Sequence, residues 1–318
     1  MIGRAASVAA LAFAAGGIVV AQPSSSFRAA TQLVVLHATV KDDRGALVTD
    51  LDRNAFAVYE NGRRQPITLF RRDDIPVSLG LLIDNSGSMR TLRARVETAA
   101  LAFVRASNPD DEVFVVNFAD KVRVDVPMTR DIQAVEAGIA RVDSIGGTAL
   151  RDAVRLAEEY LRQHASRDRH VLLVITDGKD NASETTVKQI EAASEHSETA
   201  VFGIGLFADD SGSSKQGRRE LDTLTARTGG VAFYPASAAE IEPVALDLAR
   251  QIRRQYTIGY TPTNQTLDGT YRTIRVNATA DGRSGRLSVR TRAGYRADPA
   301  QASQIENTTT SGQGETKP

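Results

Sequence analysis

The sequence predicts an α/β fold, a doubly wound and mostly parallel sheet with antiparallel β segments flanking it in the chain. Three observations carry this reading. Four apolar runs, VSLGLLID, EVFVVNFA, HVLLVITDG and AVFGIGLFA, recur between residues 77 and 208, and such runs suit strands buried on both faces. Amphipathic stretches separate them, which is the rhythm of strand, helix, strand. Before and after this region the chain alternates apolar and polar residues around Asn-Gly and Asp-Gly turns, the mark of antiparallel β structure.

Taken in order, the chain opens on MIGRAASVAALAFAAGGIVVAQ. A positive start at Arg4, an uncharged stretch from Ala5 to Ala21, and small residues at Val19 and Ala21 lead us to expect a signal peptide over residues 1–21. The run is short and rich in Ala and Gly for a membrane span. No later stretch could cross a bilayer, so no transmembrane segment is expected once the leader is cleaved. Residues 30–75 follow as an N-terminal β segment: QLVVLHATV, a turn at DDRG, AFAVYE, Asn61-Gly62 and RRQPITLF. Asn-Gly between two strand-like runs is a strong hairpin signal.

Residues 76–254 form the expected α/β domain. Leu92, Val96, Ala99, Ala100 and Phe103 share one helical face, as do Leu150, Ala153, Val154, Ala157 and Leu161. Ile241, Val244, Ala245, Leu248 and Ile252 mark a last helix. FVVNF and VRVDV lie so close together that they should pair as an antiparallel edge hairpin. Residues 255–297 return to β structure, with turns at Asp268-Gly269 and Asp281-Gly282. The two β segments should pack together as a small β domain. Residues 298–318 are polar and aperiodic, and should be a disordered tail.

Composition excludes several functions. The 318 residues carry a formal net charge of zero, and no basic stripe interleaves with aromatics, so nucleic acid is not an expected partner. There is no cysteine, hence no disulfide framework and no lipid-attachment thiol; an exported domain must rest on its core.

The chemistry gathers where strands end. LLIDNSGSM runs from a buried-looking strand into a polar knot, Asp84, Ser86 and Ser88. GGTALRDA puts Thr148 at the start of a helix, and VITDGKD puts Asp177 at the end of a strand. In an open α/β sheet these places converge on one edge. All five side chains offer oxygen, and none offers sulfur or imidazole. Hard cations such as Mg²⁺ or Mn²⁺ favour such ligands and retain open positions.

Asp84-Asn85-Ser86-Gly87-Ser88, with Thr148 in Gly-Gly-Thr and Asp177 in Thr-Asp-Gly, resembles the metal-ion-dependent adhesion site (MIDAS) of von Willebrand factor type A (VWA) domains, which have a Rossmann-like fold. The resemblance implies that Ser86 and Ser88 contact the ion directly. Thr148 would do so directly or through water, Asp84 and Asp177 mostly through water, and a carboxylate of a protein partner would complete the shell. The segments at 46–70, 73–89, 228–262 and 289–297 are also similar to exported bacterial proteins, abundant in acidobacteria, that are built around a type A domain. That second likeness covers residues 30–297, with Asn54 standing where Asp is common, and it implies an architecture more than a role.

Other readings stand beside this one. Ser86 or Ser88 could cap the following helix. A serine nucleophile would need Gly-x-Ser-x-Gly and a positioned histidine, and the glycine spacing here is wrong. His37, His164, His170 and His196 read as surface or packing residues. Gly203-Ile204-Gly205 reads as close packing within a strand, and Asn181-Ala182-Ser183 as an incidental glycosylation triplet. The resulting expectation is an exported, periplasmic or extracellular, non-enzymatic adhesion or interaction protein whose oligomeric state is open. The alternatives are an envelope scaffold acting through the β segments and a metal-assisted hydrolase.

Overall fold

The computed structural model describes residues 33–141, 145–207, 211–279 and 285–298. The expected leader, the turn at Asp281-Gly282 and the tail from residue 299 lie outside them.

The N-terminal segment supplies β1 (Val34–Lys41), β2 (Phe56–Glu60), β3 (Arg63–Gln65) and β4 (Ile67–Arg71). Asn61 and Gly62 join β2 to β3 with φ of 47° and 79°, the doubly left-handed turn that matches strand twist. The central region follows with β5 (Ser78–Asp84), α1 (Arg93–Ala106), β6 (Glu112–Phe118), β7 (Val122–Thr129), α2 (Ile132–Ile139) and α3 (Leu150–His164). It continues through β8 (His170–Thr176), α4 (Val187–His196), β9 (Ala200–Gly205), α5 (Gly212–Thr228), β10 (Ala232–Phe233) and α6 (Ala238–Arg253). The last strands are β11 (Tyr256–Tyr260), β12 (Tyr271–Ala278), β13 (Ser288–Arg290) and β14 (Gly294–Arg296).

The central sheet has six strands in the order β10-β9-β8-β5-β6-β7. Its pairs are parallel except β6 with β7, which are antiparallel, so the fold class and the edge hairpin follow the sequence reading. Every residue of β5 is buried. Alternation splits them between two layers: Leu79, Leu81 and Ile83 face a core with α1, α2 and α6, while Leu82 faces a core with α3, α4 and α5. Each such side chain stabilises the fold by about 1.5–3 kcal/mol on burial. The chain leaves β5 toward β6 on one side and later reaches β8 on the other. The strand order therefore reverses beside β5, and a crevice opens at its carboxyl end.

Helices α2, α4 and α5 were not individually legible in the sequence. Asp131 caps α2 through its side chain, and a Thr186–Gln189 capping box starts α4. Within β9, a Cβ on Gly203 would stand 2.9 Å from the Leu221 side chain, so that glycine serves close packing as expected.

The outer β segments mix rather than stack. One four-stranded sheet runs β13-β1-β11-β4 and another β14-β12-β2-β3, each built from both ends of the chain. Between them lie Leu36, Val58, Phe56, Ile258 and Val276. One buried polar cluster crosses this core. Glu60 accepts hydrogen bonds from Tyr260 at 2.8 Å and Tyr295 at 2.9 Å, and pairs with Arg272 at 3.3 Å. The Arg272 guanidinium also donates to the carbonyls of Asn264 and Thr266, so the buried charge is paired and solvated by protein.

Candidate functional site

Asp84 ends β5 with its side chain fully buried. Its Oδ1 accepts the Ser86 backbone N–H at 2.9 Å, and its Oδ2 accepts the Thr176 hydroxyl at 2.6 Å. Burial raises the Asp84 carboxyl to about 6; the Thr176 and Ser86 hydrogen bonds oppose this, and the nearby Asp177 charge adds to it. Neither Asp84 nor Asp177 forms an ion pair with Lys, Arg or His among the described residues. A charged carboxylate taken out of water without a counter-charge is costly.

After Asp84 the backbone turns through Ser86 into a 3₁₀ helix, Gly87–Leu92. Ser86 occupies its N-cap position but makes no side-chain capping bond. Its Oγ lies 3.1 Å from Ser88 Oγ, and Ser88 donates to Asp177 Oδ1 at 2.8 Å. The capping alternative is therefore not what these hydroxyls do. Ser88 is exposed and Asp177 half-buried, so the cluster grades from the enclosed Asp84 outward to solvent. Burial also raises Asp177, and the Ser88 hydrogen bond counters it.

Thr148 arrives from the loop before α3. Gly146 there has φ of 92°, a conformation that L side chains avoid. A Cβ on Gly147 would stand 2.5 Å from Asn181 Oδ1, so that loop needs both glycines. The Thr148 backbone N–H donates to Asn181 Oδ1 at 2.8 Å, and the Asn181 backbone N–H donates to the Thr148 carbonyl at 3.0 Å. The Gly87 N–H donates to the Gly146 carbonyl at 3.1 Å. A Cβ on Gly178 would sit 3.2 Å from Thr148 Oγ1 and 3.9 Å from Asp84 Oδ2. Three chain-distant loops thus meet, and the five residues singled out in the sequence share one locus.

Several positioning residues were missed. Thr176, whose hydroxyl holds Asp84, is not among the residues singled out in the sequence. Asn181 was read as part of an incidental triplet, yet it bridges the Thr148 loop to the loop after β8. Asn85 links the site to β6: its Nδ2 donates to Asn117 Oδ1 at 2.8 Å, and its Oδ1 accepts from Arg93 Nη1 at 3.0 Å. Small polar residues next to motif positions were the available signal.

Two carboxylates and three hydroxyls, oxygen throughout, are a donor set that suits a hard divalent cation. Among the described residues no group of three or more His, Cys, Asp or Glu could hold a metal, so any ion here would depend on the hydroxyls. The histidines lie elsewhere. His170 begins β8, about 20 Å of strand away from Asp177. His164 stacks on Tyr160, His196 pairs with Asp298 at 3.4 Å, and His37 lies on β1.

Comparison with known proteins places these observations. Over 147 residues the chain is 27% identical to an uncharacterized protein of Synechocystis sp., covering 43% of this chain and 34% of that one. The chain thus spans about a third of the length of that curated relative. Among solved structures it is similar to a von Willebrand factor type A protein from Catenulispora acidiphila, with 14% identity, a TM-score of 0.49, and coverage of 86% of this chain and 75% of that one. It is also similar to the PilB minor pilin from Streptococcus sanguinis, with 14% identity, a TM-score of 0.46, and coverage of 60% and 64%. The pilus adhesin SpaC from Lactobacillus rhamnosus GG is 12% identical, with a TM-score of 0.47 and coverage of 77% and 47%. Residues 79–179, which carry all five candidate side chains, match the von Willebrand factor type A domain family.

Proposed function

We propose that this chain is an exported, non-enzymatic interaction protein that holds Mg²⁺ or Mn²⁺ with Asp84, Ser86, Ser88, Thr148 and Asp177. Its partner would be a protein that presents a carboxylate to that ion. The observation that carries the reading is the meeting of Asp84 and Asp177, two carboxylates with no cationic side chain paired to either among the described residues. A bound divalent cation supplies the missing positive charge and a centre that an outside carboxylate can reach. Thr176 and the Ser86 N–H hold Asp84 in place, and Asn181 holds Thr148. Ser88 and Asp177 lie toward solvent, where a partner can approach.

Mn²⁺ titration followed by electron paramagnetic resonance tests this directly. The free-ion signal should disappear up to about one equivalent with the parent chain, and remain at every addition with Asp84→Asn or Ser88→Ala. Equal uptake by parent and variants would mean that Mn²⁺ binds elsewhere. Export belongs to the same proposal and rests on the leader-like residues 1–21; cell fractionation of the full chain reads it. Among the described residues no helix is long and apolar enough to cross a membrane.

A further inference from the structure

Beside the candidate cation site lies a cleft of about 400 Å³. The buried Asn85 and Asn117 form its floor, and the β6–β7 hairpin with Asp120, Lys121, Val122 and Arg123 lines it together with Ile145. The cleft is continuous with the site: Asn85 sits between Asp84 and Ser86, and Ile145 precedes the Gly146 carbonyl that accepts the Gly87 N–H. The walls are joined as well. The Gly147 N–H donates to Asp120 Oδ1 at 2.5 Å, and the Ala149 N–H donates to the Ala119 carbonyl at 2.9 Å.

The chemistry left free in this cleft is limited. The floor is already committed: Asn85 bonds Asn117 and Arg93, and Asn117 Nδ2 donates to Asp125 Oδ2 at 2.7 Å. Lys121 is exposed, and its ammonium has no ion pair or hydrogen bond among the described residues. Ile145 is 72% exposed, more than any other large apolar side chain described. Arg123 also lines the cleft but is held by Asp125 at 2.6 Å, so the unpaired Lys121 ammonium and the exposed Ile145 side chain, next to a site suited to a carboxylate, define what fits there.

We propose that the cleft is a second recognition subsite of the same binding face, and that its occupant is an acidic protein segment. Its first carboxylate goes to the cation, an apolar side chain covers Ile145, and a second carboxylate pairs with Lys121. This rests on the cation reading given above. Charge complementarity favours an acidic segment: the candidate cation and Lys121 together offer positive charge at both ends. Covering Ile145 removes apolar surface from water.

Fluorescence anisotropy with labelled nonapeptides tests this in saturating Mg²⁺. Each peptide carries Asp, then Leu, then either Glu or Gln, in a Gly/Ser background with the spacings varied from one to three residues. At the best spacing the Glu peptide should bind about two- to fivefold more tightly than its Gln counterpart, as for an exposed ion pair. That preference should vanish in Lys121→Gln, and Ile145→Ser should weaken both peptides about fivefold. The melting temperature with Mg²⁺ is recorded for each variant and should match the parent. A Mg²⁺ response in the parent without a Glu preference, without peptide binding, or with a preference that survives Lys121→Gln overturns the subsite and leaves the cation site standing. No Mg²⁺ response in the parent overturns both.

Discussion

Ser88 donates its hydroxyl to Asp177 at 2.8 Å, across 89 positions of sequence. That bond joins the loop after β5 to the loop after β8, which leave adjacent parallel strands at the same edge of the sheet. The register of β5 and β8, from Ser78–His170 to Ile83–Ile175, is what brings the two loops together. The apolar strand and the polar knot that follows it are therefore one device, in which the strand sets the position of the oxygens.

Thr176 is the support closest to the buried carboxylate. Thr176→Val keeps the shape of the strand and removes the donor to Asp84 Oδ2. It should lower stability by about 1–3 kcal/mol, the cost of leaving a buried acceptor short of a partner. It should also weaken Mg²⁺ binding, because Asp84 loses its orientation. Urea unfolding with a matched Mg²⁺ titration reads both effects, and an unchanged midpoint would show that water replaces the hydroxyl freely.

In the outer sheets, Glu60 holds Arg272, Tyr260 and Tyr295 together. Glu60→Ala leaves a buried guanidinium without its counter-charge and should cost about 3–5 kcal/mol. Arg272→Met paired with Glu60→Leu should recover most of that loss. Thermal unfolding of the single and double variants decides it; equal losses in both would show that packing, not charge, dominates there.

Much of this architecture was legible, and the reasons differ by element. Leu79 to Ile83 declare a doubly buried strand because every side chain is apolar, and all of them are buried in the fold. The Asp84, Thr148 and Asp177 loops were legible because small oxygen-bearing residues interrupt such strands at their ends. Helix α5 was hidden because its sequence, GSSKQGRRELDTLTART, begins with polar and glycine residues and buries only one thin stripe. Thr176 and Asn181 were hidden for another reason. A threonine ending a strand and an asparagine in a loop are ordinary locally, and only long-range contacts give them a role. The sorting of outer strands into two mixed sheets likewise depends on pairings such as Val58 with Val276, which no local pattern encodes.

Glu158 gives the fold a pH dependence of its own. It is largely enclosed on α3, its Oε1 has no hydrogen-bond partner, and burial raises its carboxyl from 4.5 to about 7, opposed by a Ser197 hydrogen bond. The folded state therefore holds this proton where the unfolded chain releases it. Stability from this group falls as pH rises from about 4.5 to 7, and the full penalty is present above 7. Glu158→Gln should stabilise the protein by about 1–3 kcal/mol at pH 8 and have little effect at pH 4. Melting curves at the two pH values test the sign, and a gain of equal size at both would assign it to packing instead.

The central claim is that the Asp84 cluster holds a divalent cation, and thermal unfolding in Mg²⁺ against EDTA tests it most directly. An ion that binds only the folded state stabilises it by about 2.7 kcal/mol at one hundred times its dissociation constant. For a chain of 318 residues that corresponds to a rise in Tm of about 4 °C. The account predicts this rise in the parent chain, and its loss in Asp84→Ala and Ser88→Ala. A Tm that Mg²⁺ and Mn²⁺ leave unmoved in the parent, or a rise that survives Asp84→Ala undiminished, would contradict it.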